Sequence, residues 1–134
     1  MNSDDALRMA AEELELTSEL AITMFEFNPD AIVIVDEDGR IKRSNRQATF
    51  LFGYSKQELR GMKVDNLLPE PLRDAHETHR AGFMADPRMR SMGVDLDLRA
   101  RKKNGVEVPV LINLSPVATA QGLFTIASIR RRGG

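Results

Sequence analysis

Residues 96–117 read LDLRARKKNGVEVPVLINLSPV, and the period of this stretch decides the fold. From Val106 onward the apolar residues Val106, Val108, Val110, Ile112 and Leu114 fall on every second position. That is the side-chain period of a β-strand with one buried face. Upstream, Val94, Leu96 and Leu98 alternate with Asp95, Asp97 and Arg99 in the same way. Between the runs lies Asn104-Gly105, a pair that readily adopts the positive φ angles of a tight hairpin turn. Two antiparallel strands joined there are expected, followed by a third from Leu123 to Ile129 after a turn at Gln121-Gly122. The tail Arg130-Arg131-Arg132-Gly133-Gly134 is expected to fray.

Working outward toward the N-terminus, Ala31 to Val35 is a continuous apolar run rich in β-branched residues, closed by Asp36-Glu37-Asp38-Gly39. It reads as a strand and a tight turn, with Arg40-Ile41-Lys42-Arg43 as the returning strand. Asn45 caps a short helix through Phe50, Leu51 and Phe52 that stops at Gly53. Ser55 and Glu58 form a capping box for a second short helix ended by Gly61. Pro69 and Pro71 suit the first turn of a helix running through His76 and His79 to Asp86-Pro87. At the start of the chain, Ser3 is expected to cap a helix whose first turn carries Asp4 and Asp5. Leu7, Ala10, Ala11, Leu14 and Ala21 make one apolar stripe on a helix of about four turns, broken at Asn28-Pro29-Asp30. The stripe must pack either on its own domain or on the same helix of a second copy.

Strands at both ends of the order with several short helices between them imply an α+β domain built on an antiparallel sheet. Helices should cover one face of the sheet, leaving a core in which a small ligand can sit. With 134 residues, 42% of them hydrophobic, one domain with one core is expected. The 19 basic and 20 acidic residues nearly cancel, so nucleic acid is not an expected partner. The absence of cysteine excludes disulfides, thiolate metal sites and cysteine nucleophiles. The acidic first twenty residues are not a secretory signal, and no run of roughly 18 apolar residues is present. A cytoplasmic location is expected, with a cytoplasmic fragment of a membrane receptor left open. No phosphate-binding glycine loop, zinc-ligand spacing or nucleophile elbow is present, and a triad assembled from Ser115, His76 and a carboxylate has no more support than any chain of this length gives. The chain is therefore not expected to be an enzyme.

The strings NPDAIVIVDEDGRIKRSN, FGYSKQELRGMKVDNLLPEP, LDLRARKKNGVEVPVLINLSPV and GLFTIASIR, in this order and spacing, resemble the PAS family. The resemblance covers residues 25–131, after a flanking amphipathic helix over residues 1–24 and before a tail at 132–134. It implies a five-stranded antiparallel sheet with short helices on one face, in which the first two strands lie between the last and the others. It also implies a function: a sensory or regulatory domain of a signal-transduction protein, such as a sensor histidine kinase in a two-component system. Such domains bind a small ligand or partner, or only dimerise, and pass a change to an effector that holds any kinase or cyclase activity. The N-terminal helix, through Leu7 and Leu14, resembles the segment by which many of them form homodimers.

The resemblance further implies one site. In haem-binding oxygen sensors of the family the axial histidine follows a Pro-Glu-Pro string, and here Pro69-Glu70-Pro71 precedes His76 at the matching distance. Imidazole is a natural ligand of haem iron. A haem-based gas or redox sensor with His76 as axial ligand is thus the alternative to an unidentified ligand. It departs from those sensors in a shorter helix, in Val94 where they carry a distal arginine, and in a second histidine, His79. The cysteine of the light-sensing branch is missing from Val64-Asp65-Asn66-Leu67-Leu68, and Tyr54 is the only tyrosine in a chain without tryptophan, so flavin is not expected. Met84, Met89 and Met92 suit either an adaptable apolar pocket or plain core filling. Arg99, Arg101, Lys102 and Lys103 form a basic hairpin tip, either solvated or facing an acidic partner. A third reading is a purely structural dimerisation module whose interior is packed solid.

Overall fold

The structure is a computed structural model that describes residues 2–73, 90–92 and 98–133. Helix α1 (Ser3–Glu26) is followed by strands β1 (Ala31–Val35) and β2 (Ile41–Ser44), helices α2 (Arg46–Phe52) and α3 (Lys56–Leu59), and 3-10 turns at Val64–Leu67 and Glu70–Leu72. Strands β3 (Arg90–Met92), β4 (Arg99–Arg101), β5 (Glu107–Thr119) and β6 (Gly122–Arg131) complete the chain. All strand pairs are antiparallel, in the order β2-β1-β6-β5, with β3 and β4 both on the far edge of β5. Five strand positions result, as expected.

Their order corrects one expectation. The last strand, β6, is central, flanked by β1 and β5, and the first two strands form one side of the sheet. Strands β5 and β6 pair from Thr119↔Gly122 to Val110↔Arg131, and Arg132 N donates to the Pro109 carbonyl. Arg130 and Arg131 therefore belong to the ladder instead of fraying. Only the end of the strand expected around Val94 to Leu98 falls on described residues. Pairing occurs earlier, at Met92↔Ile112, and again from Leu98, whose carbonyl accepts from Val110 N, to Arg101↔Glu107. Residues 93–97 lie outside the described residues.

The local signals explain most elements. In β1, Ala31, Val33 and Val35 are buried while Ile32 and Ile34 face the other way. Asp36 Oδ1 accepts from the backbone N–H groups of Asp38 and Arg40 and closes the turn to β2. Helix α2 ends at Gly53, whose φ of 77° is the left-handed conformation that a side chain would strain. The Ser55–Glu58 capping box is formed on both sides. The core lies between the inner sheet face and α2, α3 and the first 3-10 turn. Val33, Ile41, Phe52, Leu59, Val110 and Ile129 are among its buried members.

Helix α1 is longer than its apolar stripe suggested. It is capped by Asn2, whose side-chain oxygen accepts from Asp5 N, rather than by Ser3, and it runs 24 residues. None of these residues is buried; Leu7 and Leu14 are 70% and 68% exposed. The stripe is thus not buried against the domain's own core.

Candidate functional site

The junction between α1 and the core is built on one amide. Asn45 follows β2 and precedes the apolar residues of α2, the position at which a short polar side chain satisfies the first free N–H groups of a helix. It is fully buried. Its Oδ1 accepts from Ala48 N at 3.0 Å and from Ile32 N at 2.8 Å. Its Nδ2 donates to the carbonyls of Phe25 and Asp30, both at 3.0 Å. An asparagine amide offers two donors and one doubly accepting oxygen, so each capacity is used. The side chain thus ties α2, β1 and the last turn of α1 together.

Two further contacts hold the same turn. Lys56 on α3 forms an ion pair with Glu26. The Arg46 guanidinium lies 5.5 Å from the centre of the Phe27 ring and 5.8 Å from that of Phe50. Beside this junction the Asp30 carboxylate accepts from Ser128 Oγ and lies 3.7 Å from Arg130 Nε.

On the inner sheet face the buried residues are apolar along β1 and β5, and along β6 apart from Thr125. Thr125 stands between Val35 and Pro116 in the register, and its Oγ1 is buried with no hydrogen-bond partner. An orphaned buried hydroxyl is costly and calls for a reason. Among the described residues it is the buried side-chain polar atom left without a hydrogen-bond partner.

Of the residues singled out in the sequence, His76, His79, Met84, Met89 and Val94 lie outside the described residues. The basic tip is partly committed within the domain. Lys103 Nζ donates to Glu58 at 2.6 Å and lies 6.0 Å from the Tyr54 ring centre, and its backbone N–H donates to the Phe52 carbonyl. The Lys103 ammonium, aided by the Ser55 N–H, holds the Glu58 carboxyl below the usual carboxylate range. A carboxyl depressed in the folded state contributes stability above its unfolded value, and that contribution is lost as pH falls through the folded one. Lys103→Met is expected to move the Glu58 titration upward, as followed by NMR. An unmoved titration would assign the shift to Ser55 alone.

The sequence pattern marks Asn45 only as a cap and does not single out Thr125. The parity of Thr125, Ala127 and Ile129 was the available signal: it places the hydroxyl on the core side of β6.

The geometry has counterparts among known proteins. The family description of the PAS domain matches residues 29–130. The oxygen sensor protein DosP of Escherichia coli is 28% identical over 105 residues, 78% of this chain and 13% of that protein. The sensor protein FixL of Bradyrhizobium diazoefficiens is 27% identical over 86 residues, 64% of this chain and 17% of that protein. The chain thus spans less than a fifth of the length of these relatives. Among solved structures, the PAS domain of an HTR-like protein from Haloarcula marismortui superposes with a TM-score of 0.77 at 22% identity, covering 92% of this chain and 98% of that one.

Proposed function

The chain belongs to the PAS domain family, and from that premise we propose that it is the cytoplasmic input module of a signal-transduction protein such as a sensor histidine kinase. It dimerises through α1 and couples occupancy of its interior, or contact with a partner, to an effector in which any kinase or cyclase activity resides. A sensory role is in keeping with relatives described as sensors. The observation that carries the reading is the contrast along α1. All 24 residues are unburied, yet the last turn is bonded through Asn45 into the strand that begins the core. A helix with an uncovered apolar stripe needs a partner, and a helix bonded at one end to the sheet feels changes in the sheet.

The test is the native mass of the domain. The chain is expected to be a dimer, and Leu7→Asp combined with Leu14→Asp is expected to halve the mass. Both side chains are exposed, so thermal unfolding of the protomer should move by no more than about 0.5 kcal/mol. A monomeric parent, or a double variant that stays dimeric, rejects dimerisation through this stripe.

A second reading, a haem-based gas or redox sensor, is favoured by the spacing from Pro69-Glu70-Pro71 to His76 and by similarity to a protein described as an oxygen sensor. His76 would hold the iron, and the iron would supply reversible gas binding or electron transfer. Hemin added to the purified domain should give a Soret band that His76→Ala abolishes. A colourless domain, or a band indifferent to that change, rejects haem ligation by His76.

A further inference from the structure

Consecutive side chains of a regular strand point to opposite faces of the sheet. Strand β2 departs from that rule. Its register slips between Ile34↔Arg43 and Val35↔Ile41, so Lys42 is an extra residue with no partner on β1. A bulge of this kind re-aims side chains. Ile41 and Ser44 are buried, while Lys42 and Arg43 between them are both exposed and stand together at one edge of the outer sheet face.

The side chains beside them are apolar. Ile34, Val117, Phe124 and Ile126 have the parity opposite to the core-facing residues of their strands, and with Lys42 and Arg43 they line a groove of about 520 Å³. Sites for small molecules run from about 300 to 1,000 Å³. From β2 across β1 and β6 to β5 there are three strand spacings, about 14 Å, within reach of a medium-length alkyl chain. Helices α2 and α3 pack against the opposite face.

The charges favour one sign of ligand. Lys42 lies 3.5 Å from Asp36 with about half its side chain exposed, an ion pair of a kind that contributes little. Arg43 donates through one guanidinium nitrogen to the Lys42 carbonyl, and a guanidinium has five N–H donors to give. The neighbouring carboxylates are committed to the backbone: Asp36 accepts from Asp38 and Arg40, and Glu37 accepts from Leu123.

We propose that this groove binds a free amphiphilic anion, a medium- to long-chain carboxylate, with its alkyl chain on Val117, Phe124 and Ile126 and its head group between Lys42 and Arg43. The site lies on the side of the sheet away from the interior, so it goes beyond the sensory reading above and does not depend on what the interior holds. A neutral apolar guest would leave the two re-aimed cations unused, and a small polar anion would leave the floor uncovered. A ligand with both parts complements both. A recess accepts a single chain, whereas a bilayer is met by apolar side chains that protrude into it.

Dodecanoate, kept below its micellar concentration, is the probe, and methyl NMR of the whole chain is the readout, because methyl groups mark the two sheet faces separately. Saturable shifts are expected at Ile34, Val117 and Ile126, with Val33, Leu59 and Ala127 on the core side unmoved. Lys42→Gln combined with Arg43→Gln is expected to weaken binding about tenfold, the scale of a charge-assisted hydrogen bond. Both side chains are exposed, so this variant keeps the core intact. Phe124→Asp, a second variant, is expected to abolish binding through the floor. Dodecyltrimethylammonium, with the same chain and the opposite charge, should bind about tenfold more weakly than dodecanoate. Equal affinity for the two head groups, shifts confined to Val33, Leu59 and Ala127, or no saturable shift would each overturn the proposal. So would sedimentation of the domain with phosphatidylglycerol vesicles while dodecanoate leaves Ile34, Val117 and Ile126 unmoved, which would assign this face to a membrane.

Discussion

Asn45→Ala is expected to cost the domain about 3 kcal/mol, the sum of a lost helix cap and buried groups left unpaired. The substitution removes a side chain with no solvent exposure and strands four backbone partners: two N–H groups, on Ile32 and Ala48, and two carbonyls, on Phe25 and Asp30. Urea denaturation measures the loss directly. Asn45→Asp separates the two halves of the role. It keeps an oxygen for Ile32 and Ala48, but sets a second oxygen against the carbonyls of Phe25 and Asp30 where a donor stood. Retained capping of α2 with a released α1 is then expected, visible as faster amide exchange at the end of α1. An alanine variant within about 1 kcal/mol of the parent would show that the amide does not hold the junction.

Phe52→Ala should be at least as severe, at about 3–5 kcal/mol, because a large aromatic side chain leaves a cavity that rigid neighbours cannot fill. Phe52 closes α2, is 1% exposed, and is the largest of the fully buried side chains among the described residues. Phe50, two residues earlier on the same helix, is 63% exposed and touches the Arg46 guanidinium. Phe50→Ala is therefore expected to cost no more than about 1 kcal/mol, the scale of an exposed cation–π contact. Comparing the two by denaturation controls for helix propensity, since both replace phenylalanine by alanine in one helix. Equal losses would mean that the core is not centred on the inner sheet face.

These two residues show what was legible in the sequence and what was not. Phe52 was placed by local rules: an asparagine cap, a short apolar run and a glycine stop delimit α2, and the structure keeps those limits. The Ser55–Glu58 box was equally local and formed as expected, whereas the hairpin expected to turn on Asn104-Gly105 alone turns on three residues, Lys103 to Gly105, of which only Gly105 takes a positive φ. The other half of Asn45's role was invisible, because Phe25 and Asp30 lie 20 and 15 residues away and nothing in the pattern says they return to the same amide. Strand order failed for the same reason. Alternation assigns faces but not neighbours, so the central place of β6 had to come from the pairing of Ala31 with Ile129 and of Ile112 with Ile129. The single stripe expected on α1 leaves out Met9, Leu16 and Leu20, which are exposed as well. His76 was offered as an alternative haem ligand only through the family resemblance, and it lies outside the described residues.

The pairing of Ala31 with Ile129 has one more consequence. Because β1 and β6 run antiparallel, the chain comes into the core and departs from it at neighbouring points, tied across by Asp30, Ser128 and Arg130. A unit whose two ends are adjacent can be spliced into a longer polypeptide, or cut out of it, with little displacement of what flanks it. It also gives a short mechanical route. A twist applied to α1 reaches whatever follows β6 across a single strand pair, without crossing the hydrophobic interior, so the core can bias that torque instead of having to carry it.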